Sequence, residues 1–552
     1  MRLPPEVLAS IFSLISAHRR TIAACEQKDV EFPSLNVCIS LSQVSRYFRE
    51  VAISTPSLWT SIFLNSRKGA PPERVELLQA LLLRSSTSPL DVHMGDLTRG
   101  INDPAFLTAI SHLPRIRELH FYEQREYVEP HELSPLLNPA PLLEALVLSQ
   151  YAKGSQDDSL LTLFDGCAPK LTSLVLSGYP RYSGNKFRNL RQLSLTQIMY
   201  RTLEDVKGFL GLLDASPTLE DVLFRNMFFP TLPDLSRRSN MPRLKRLITE
   251  LQHSSERFIL SCLSLYPGVA YDCSPYHTGK SLQATFPRDK SHLGDLLHPT
   301  TVELDFHDDF CRVTAASQSS IFRAALHKND PYLPPRSQEY LSMEDLASTF
   351  FSGGSVRELW LQFKCVDQRP HFLEARSCWY PLLLPAATLT KLVLIYRPSH
   401  CEDHPGLALA RSSFLQLLAL IFVESKSPVC PLLNEIHIYG LPEDIRESFF
   451  AMVKSRKKCG HPIPIVYLYQ VRGEAGFGNT SAEDGFKSWR DGLDYLRPFV
   501  GEVVLEVVEK YPCIQLPQVC TSTGEGRLAW PRWVDSVDES QINTNWFHSS
   551  KF

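Results

Sequence analysis

The sequence predicts an α/β protein, with a short helical module at the N terminus and a long stack of helix–turn–strand units behind it. Two apolar stripes at helical spacing within the first sixty residues predict the module. A leucine-rich phrase, L-x-x-L-x-L with other apolar residues allowed, begins ten times after residue 100 and predicts the stack. Seven of the ten phrases have proline two positions before their first residue, where about 0.7 would be expected by chance. The phrase and its proline together therefore mark a repeated structural unit.

The N-terminal helices are predicted from the segments LPPEVLASIF and LSQVSRYFREVA. Pro4 and Pro5 pre-set backbone angles that suit a helix start, and each segment places its apolar residues on one helical face. A Thr-Pro pair ends the second helix, and Leu58 and Trp59 follow it, where the large ring can cap the helices. The apolar faces comprise Val7, Leu8, Ile11, Phe12 and Ile15 in the first helix and Leu41, Val44, Tyr47, Phe48 and Val51 in the second.

This order of helix, loop, helix, break and Leu-Trp resembles the F-box, the small helical module of SCF ubiquitin ligases, in LPPEVLASIF, LSQVSRYFREVA and TPSLW. The chain departs from the family pattern in a long loop from Ala17 to Leu35 and in Phe48, which stands where many members have Trp. The resemblance implies docking on a Skp-type adaptor, and through it on a cullin. A module this small is expected to leave an apolar face open for that partner.

The resemblance also implies roles for particular residues. The residues expected to contact the adaptor are Leu3, Pro4, Leu8, Ile11, Phe12, Leu58 and Trp59, and those expected in the internal core are Val44, Phe48 and Val51. The alternative is that these residues begin some other helical domain, packed against the rest of the chain.

Composition excludes several classes of partner. The net charge of −3 offers no global field for nucleic acid or an anionic membrane. The longest later apolar run, from Phe414 to Val423, is too short to cross a bilayer. Thirteen cysteines without a C-x-x-C pair fit free thiols in a reducing compartment better than a disulfide framework. We therefore expect a soluble protein of the cytoplasm, the nucleus or both, with no nucleic-acid or membrane partner.

A linking segment, residues 67–100, separates the module from the repeats. PPERVELLQALLLRS predicts an amphipathic helix from Pro71 to Ser85, and Leu90, Val92 and Met94 then alternate with polar residues as in a strand. This helix and strand after Leu-Trp resemble the junction in expanded fungal F-box families, where it leads into leucine-rich repeats.

The repeats occupy residues 101–470. In FLTAISHLPRIRELHF a helix meets proline, which cannot continue it, and the chain turns into a strand. The first six starts lie 27, 28, 19, 29 and 25 residues apart, near the 20 to 29 of leucine-rich repeats, and two later gaps of 57 and 55 predict two repeats each. Because the usual Asn is missing, we expect an irregular solenoid, or horseshoe. The starts are Ile116, Leu143, Leu171, Leu190, Leu219, Leu244, Thr301, Val356, Leu389 and Leu433.

Strand alternation predicts which residues face a target protein. The leucines of each strand point into the core, and the residues between them face out across the concave side. An outward Trp among acids resembles a recognition hot spot. The alternative for Trp360 is that a loop or the C-terminal tail covers it. The residues predicted to bind the target are Glu303, Asp305 and His307, then Glu358, Trp360 and Gln362, then Glu435, His437 and Tyr439.

Catalytic motifs are absent from the sequence. We find no P-loop, GxSxG, H-E-x-x-H or dinucleotide fingerprint. SHCEDH, at residues 399–404, could hold zinc but lacks a second ligand pair, so a polar loop is favoured. The carboxylates around His307 favour an acidic patch over an acid/base site. The sequence thus predicts no catalytic residue, no metal and no cofactor.

These patterns predict a non-enzymatic substrate receptor of an SCF-type ubiquitin ligase, whose repeats hold an unknown target protein. Its predicted parts are the F-box-like module at 1–66, the linking segment, the repeats, and a C-terminal cap and tail at 471–552. The alternative is a ligase-independent leucine-rich scaffold whose first helices only cap the first repeat.

Overall fold

The chain divides into two compact units, whose described residues fall within Met1–Leu244 and Lys245–Ser522. In this computed structural model the division lies inside the predicted repeat region, between two strands. The structure describes residues 3–25, 33–65, 71–95, 100–123, 130–150, 163–178, 187–230, 238–273, 282–306, 310–327, 343–364, 379–397, 417, 429–440, 445–471 and 493–521.

The N-terminal module consists of three helices and a closing turn. Ser45 caps the third helix, because its hydroxyl accepts a hydrogen bond from the Phe48 amide at 3.1 Å. The predicted loop from Ala17 to Leu35 is wrong over most of its described part, since the first helix continues through residues that favour helix and the second begins early, at a proline. The elements are α1 (Pro5–Cys25), α2 (Pro33–Val44), α3 (Arg46–Ile53) and the 3₁₀ turn Pro56–Trp59.

The first unit contains seven parallel strands that pair in chain order, each with the next. Parallel neighbours in chain order require a crossover between strands, and the turns and helices provide it. The strands are β1 (Ser61–Asn65), β2 (Leu90–Gly95), β3 (Ile116–Glu123), β4 (Ala145–Gln150), β5 (Ser173–Ser177), β6 (Gln192–Thr196) and β7 (Asp221–Arg225), followed by the short β8 (Ser239–Asn240).

The second unit continues this pattern with one interruption. Its strands pair in the order β9, β11, β14, β13, β12, β15, β16, β17, β18 and β19, all parallel except for the antiparallel pairs made by β13. They are β9 (Arg246–Glu250), β10 (Leu263–Ser264), β11 (Ala270–Cys273), β12 (Thr301–Phe306), β13 (Phe310–Ala316), β14 (Ile321–His327), β15 (Glu358–Lys364), β16 (Lys391–Arg397), β17 (Glu435–Tyr439), β18 (Ile465–Val471) and β19 (Glu502–Val508).

Short helices and turns connect these strands. The helices are α4 (Pro71–Arg84), α5 (Pro104–Ile110), α6 (Leu203–Asp214), α7 (His253–Cys262), α8 (Leu282–Thr285), α9 (Met343–Leu346), α10 (Trp379–Leu383), α11 (Arg446–Lys458) and α12 (Gln518–Thr521). The 3₁₀ segments are Gly100–Asn102, Leu113–Arg115, Pro130–Leu137, Leu163–Gly166 and Gly294–Leu297, and a π turn spans Ala347–Phe351. No helix in the described residues is long and apolar enough to span a membrane.

The repeated proline has a structural explanation in the turn that leads into each strand. At Leu143, for example, the amide donates to the Ala140 carbonyl at 3.2 Å, so Pro141 occupies the second position of the turn, where its fixed φ is favourable. The same bond precedes five other strands and encloses Pro114, Pro169, Pro217, Pro242 and Pro431.

All ten predicted repeat strands are present, each beginning at its predicted start or within two residues of it. The gap of 57 residues contains the expected additional strand, β11. The gap of 55 does not contain a second repeat, because β13 and β14 form an antiparallel hairpin inserted between β12 and β11. Each unit is therefore a stack of the leucine-rich-repeat kind.

The basic residues at the end of α11 include one that is structural. Arg456 is fully buried and donates to the carbonyls of Val429 at 2.9 Å, Cys430 at 2.9 Å and His461 at 3.3 Å. The guanidinium fork therefore holds the chain before β17 and the chain after α11 in place.

Replacing Arg456 with Met should destabilise the protein by about 3 kcal/mol, because several buried carbonyls lose a charged donor. The midpoint of urea unfolding measures this loss. Lys458→Met, at the exposed end of the same helix, is the matched control and should leave the midpoint unchanged. Equal midpoints for the two variants would contradict this role.

Candidate functional site

The interior of the N-terminal module is organised around Trp59. This side chain is 1% exposed, and its indole Nε1 donates to the Ala52 carbonyl at 2.8 Å. The Arg84 guanidinium from α4 lies 4.6 Å from the ring centroid, and the Cys38 thiol donates to the Leu58 carbonyl at 3.3 Å. The closing turn thus joins α2, α3 and α4 in one core.

Four of the seven residues predicted to contact the adaptor lie inside this module. Leu8, Phe12, Leu58 and Trp59 are buried, and the rings of Phe12 and Phe48 lie 5.4 Å apart. These four side chains form the interior beneath the outer surface of the module. That any of the seven residues contacts the adaptor stays a prediction. The expected core position of Val44 is wrong, because that side chain is exposed, whereas Val51 is buried and Phe48 half-buried.

An apolar row remains uncovered on the outside of α1, and we call it the α1 stripe. Leu3 and Ile11 belong to it, and Pro4 beside it is exposed. Sequence reasoning assigned Val7 and Ile15 to the helix face but gave them no partner, although their spacing of four residues from Leu3 and Ile11 carries the signal, and it did not include Leu14. The stripe comprises Leu3, Val7, Ile11, Leu14 and Ile15, with exposed fractions from 37% to 70%.

The second unit brings most of the predicted target-binding residues onto one face of its sheet. Glu303 pairs in register with Trp360, Trp360 with Val393, and Val393 with His437, so these side chains form one row across four strands. Asp305, Gln362, Ile395 and Tyr439 form the next row. His307 lies outside the described residues.

Much of this face is covered by the chain itself. Tyr511 and Ile514 pack with Trp360, and Cys520 packs with Ala270 and Ile321 further along the sheet. The Tyr511 hydroxyl donates to the Tyr396 carbonyl at 3.1 Å, and the Arg397 guanidinium lies 4.6 Å from its ring. We call residues 511–520 the C-terminal strap.

The strap removes most of the predicted surface from solvent. Trp360 is only 8% exposed, which agrees with the alternative that the C-terminal region covers it. Four other predicted residues are also buried: Glu303, Asp305, Gln362 and Tyr439. Glu358, Glu435 and His437 remain half-buried and accessible. Trp360 is therefore a packing residue in this structure, because apolar residues of the strap pack against its side chain.

The buried acids beneath the strap are held by neighbours on the sheet. The Gln362 amide donates to Glu303, and Arg312 lies 3.9 Å from the Asp305 carboxylate. Burial, reinforced by the charge of Asp305, raises the pKa of Glu303 to about 7. A pKa near neutrality would suit a general base, but a carboxyl that is 3% exposed has no access to a substrate in this arrangement.

Beside the strap, stacked aromatic rings reach the surface on β17 and β18, and we call Tyr439, Tyr467, Tyr469 and His437 the aromatic ladder. Tyr467 stacks on His437 at 4.2 Å and Tyr469 on Tyr439 at 4.3 Å between centroids. Burial lowers the pKa of His437 although Glu435 lies 3.3 Å from its ring. Sequence reasoning gave the two alternating tyrosines of β18 no role.

Comparison with known protein families supports the N-terminal module. The family described as F-box-like matches residues 1–65. No curated protein matches the chain. An F-box-like domain generally serves in the substrate receptors of SCF ligases, binds a Skp-type adaptor and is itself non-catalytic.

Replacing Ile514 with Asp should detach the strap, because a charged group in this apolar contact costs about 3 kcal/mol or more. Hydrogen exchange of the β15–β17 amides should rise, and acrylamide should quench more tryptophan fluorescence as Trp360 becomes accessible. Gln515→Asp, at the exposed neighbouring position, is the control. Identical exchange in both variants would show that Ile514 does not hold the strap.

Proposed function

We propose that this chain is the substrate-recognition subunit of an SCF-type E3 ubiquitin ligase. Its F-box-like module docks on a Skp-type adaptor, which joins it to a cullin, and the second unit binds a target protein. The chain contributes no catalytic group. It acts by proximity, because a bound target meets the ubiquitin-conjugating enzyme at a high effective concentration.

The α1 stripe is the observation that carries this proposal. A protein surface normally shows single apolar side chains, whereas a contiguous row marks a site for another protein. The stripe includes four such side chains on α1 and Leu3 just before it, in the module that matches the F-box-like family. The module does not need the stripe for its own core, since Leu8, Phe12 and Trp59 already fill it.

A ligase-independent scaffold is the second candidate, and one observation favours it. The closing turn and α4 pack together, α2 and α4 both pack on β1, and β1 pairs with β2. An N-terminal cap of a repeat stack makes contacts of this kind. A cap alone, however, would gain nothing from five apolar side chains on its outer side, so adaptor binding decides between the two candidates.

Val7→Asp combined with Ile11→Asp should abolish complex formation with a Skp-type adaptor while leaving the fold intact. Both side chains are exposed, so the two charges disrupt only the contact with the partner, and we expect affinity to fall about 100-fold or more. Coexpression followed by size-exclusion chromatography measures the complex.

Leu83→Asp is the matched control, because Leu83 is an exposed leucine on α4 outside the stripe. It should leave the complex unchanged. Leu8→Asp or Trp59→Ala would be less informative, since either would damage the module's interior. If the double variant still binds the adaptor as the wild type does, the stripe is not the docking surface.

For the target, we propose the accessible part of the predicted surface together with the aromatic ladder. Glu358, Glu435 and His437 contribute, and Tyr467 and Tyr469 present half-buried rings beside them. Acids dominate the surroundings, with Glu502 and Glu506 exposed on β19, so a target segment with Lys or Arg is favoured. Trp360, Gln362, Glu303, Asp305 and Tyr439 would take part only after the strap moves, and His307 stays a prediction.

Tyr467→Ala combined with Tyr469→Ala should weaken target binding about tenfold or more without affecting the adaptor complex, because two aromatic contacts are lost. Targets captured by the wild-type complex would be compared by quantitative pull-down with each variant. Tyr380→Ala, an exposed tyrosine of the same unit away from the ladder, is the control. A target set retained equally by all three proteins would place recognition elsewhere.

A further inference from the structure

The sheet of the first unit carries two histidines and two acids on neighbouring strands. Asp91 and His93 on β2 pair in register with Glu118 and His120 on β3. Because alternate residues of a strand share one face, all four side chains lie on the same side of the sheet. Sequence reasoning identified β2 and β3 but assigned these residues no chemistry.

Three of these side chains converge. One ligand atom from each of His93, Glu118 and His120 can be chosen so that all three lie within 4.8 Å of one another. Around a tetrahedral zinc ion with bonds of roughly 2.1 Å, ligand atoms lie about 3.4 Å apart. Small rotations of these side chains would therefore bring the three ligand atoms to the spacing that a bound ion requires, without a movement of the backbone.

The imidazole of His120 provides a second observation that points to a ligand. The residue is 8% exposed, and its Nε2 has no hydrogen-bond partner within the described part of the chain. The closest carboxylate contact recorded for this nitrogen is Glu118 Oε2, 4.0 Å away. A buried polar nitrogen without a partner is costly, and a metal ion would satisfy it.

Glu118 supplies the carboxylate of the three-residue group, whereas Asp91 pairs with Arg117. The Arg117 guanidinium donates to both Asp91 oxygens, from Nε at 2.9 Å and from Nη2 at 2.6 Å. This ion pair neutralises Asp91 and holds it beside the histidines. Glu118 then completes a set of two imidazoles and one carboxylate, which suits borderline divalent transition metals.

We propose that His93, Glu118 and His120 form a binding site for a divalent transition-metal ion of the zinc class. The ion would join β2 to β3 next to β1, the strand that follows the F-box-like module, with water in the remaining position.

The simpler explanation is an aromatic stack without an ion. Phe63 lies 4.3 Å from His93 and His93 lies 4.0 Å from His120 between ring centroids, so the three rings form a continuous column. Such a column accounts for the ring positions but gives Glu118 no part and leaves the His120 nitrogen unsatisfied. The two explanations differ in whether the protein takes up metal.

Isothermal titration of the full-length, tag-free, chelator-treated protein with Zn²⁺ tests the proposal, and Co²⁺ absorption reports the coordination geometry. We expect one saturable equivalent, and at 100 times the dissociation constant a melting temperature roughly 2–5 °C higher. His120→Gln and Glu118→Gln should each weaken this binding about tenfold or more. His437→Gln, on the second unit, should not change it.

Glu118→Gln keeps the size of a half-buried side chain, so it remains informative if His120→Gln proves unstable. Absence of saturable binding in the wild-type protein, or binding that neither substitution weakens, would overturn the proposal and leave the aromatic stack. Adaptor binding is measured separately, so failure here does not bear on the ligase role.

Discussion

The structure depends on a constraint of the parallel strand: its backbone groups are satisfied only by neighbouring strands, and its apolar face must be covered. Six of the described strands are entered through a proline-containing turn that sets their start, and residues at the entry can then bond to the preceding strand, as Glu144 does to the Arg117 carbonyl at 2.7 Å. Units of this kind cannot bury their apolar side alone, so stability comes from the stack. The N-terminal module and the C-terminal strap each cover part of the surface that the stacked strands leave exposed.

One side of the N-terminal module packs on the first strand and its helix, and the other side is exposed. Its inner side places Trp59 against α4 and packs α2 and α4 on β1. Its outer side carries the α1 stripe, whose five side chains are 37% to 70% exposed. An exposed apolar row of this kind is available to a partner. One side of the module is therefore packed on the repeats, and the other side is the surface proposed for docking.

The C-terminal strap covers a face of the second unit in a comparable way. Tyr511 and Ile514 pack with Trp360, and the acids nearby are held by sheet partners. The half-buried rim, where His437 and Tyr467 stack, stays accessible and is the part proposed to meet the target. Access to Trp360 would require the apolar contacts of the strap to open.

The amino-acid sequence by itself determined the repeated unit, because proline before a leucine-rich phrase acts locally: it occupies the second position of a turn and the strand follows within a few residues. It also determined that the module is helical, because periodicity is local, but it missed the break at Ser45 that divides the predicted second helix into α2 and α3. Only the tertiary structure decided which apolar faces are used. Leu8 and Ile11 have the same character in sequence, yet one is buried and the other exposed, and Trp360 is covered by residues about 150 positions later. Burial depends on contacts between distant segments, and the meeting of His93 with His120 depends on strand register, neither of which local spacing specifies.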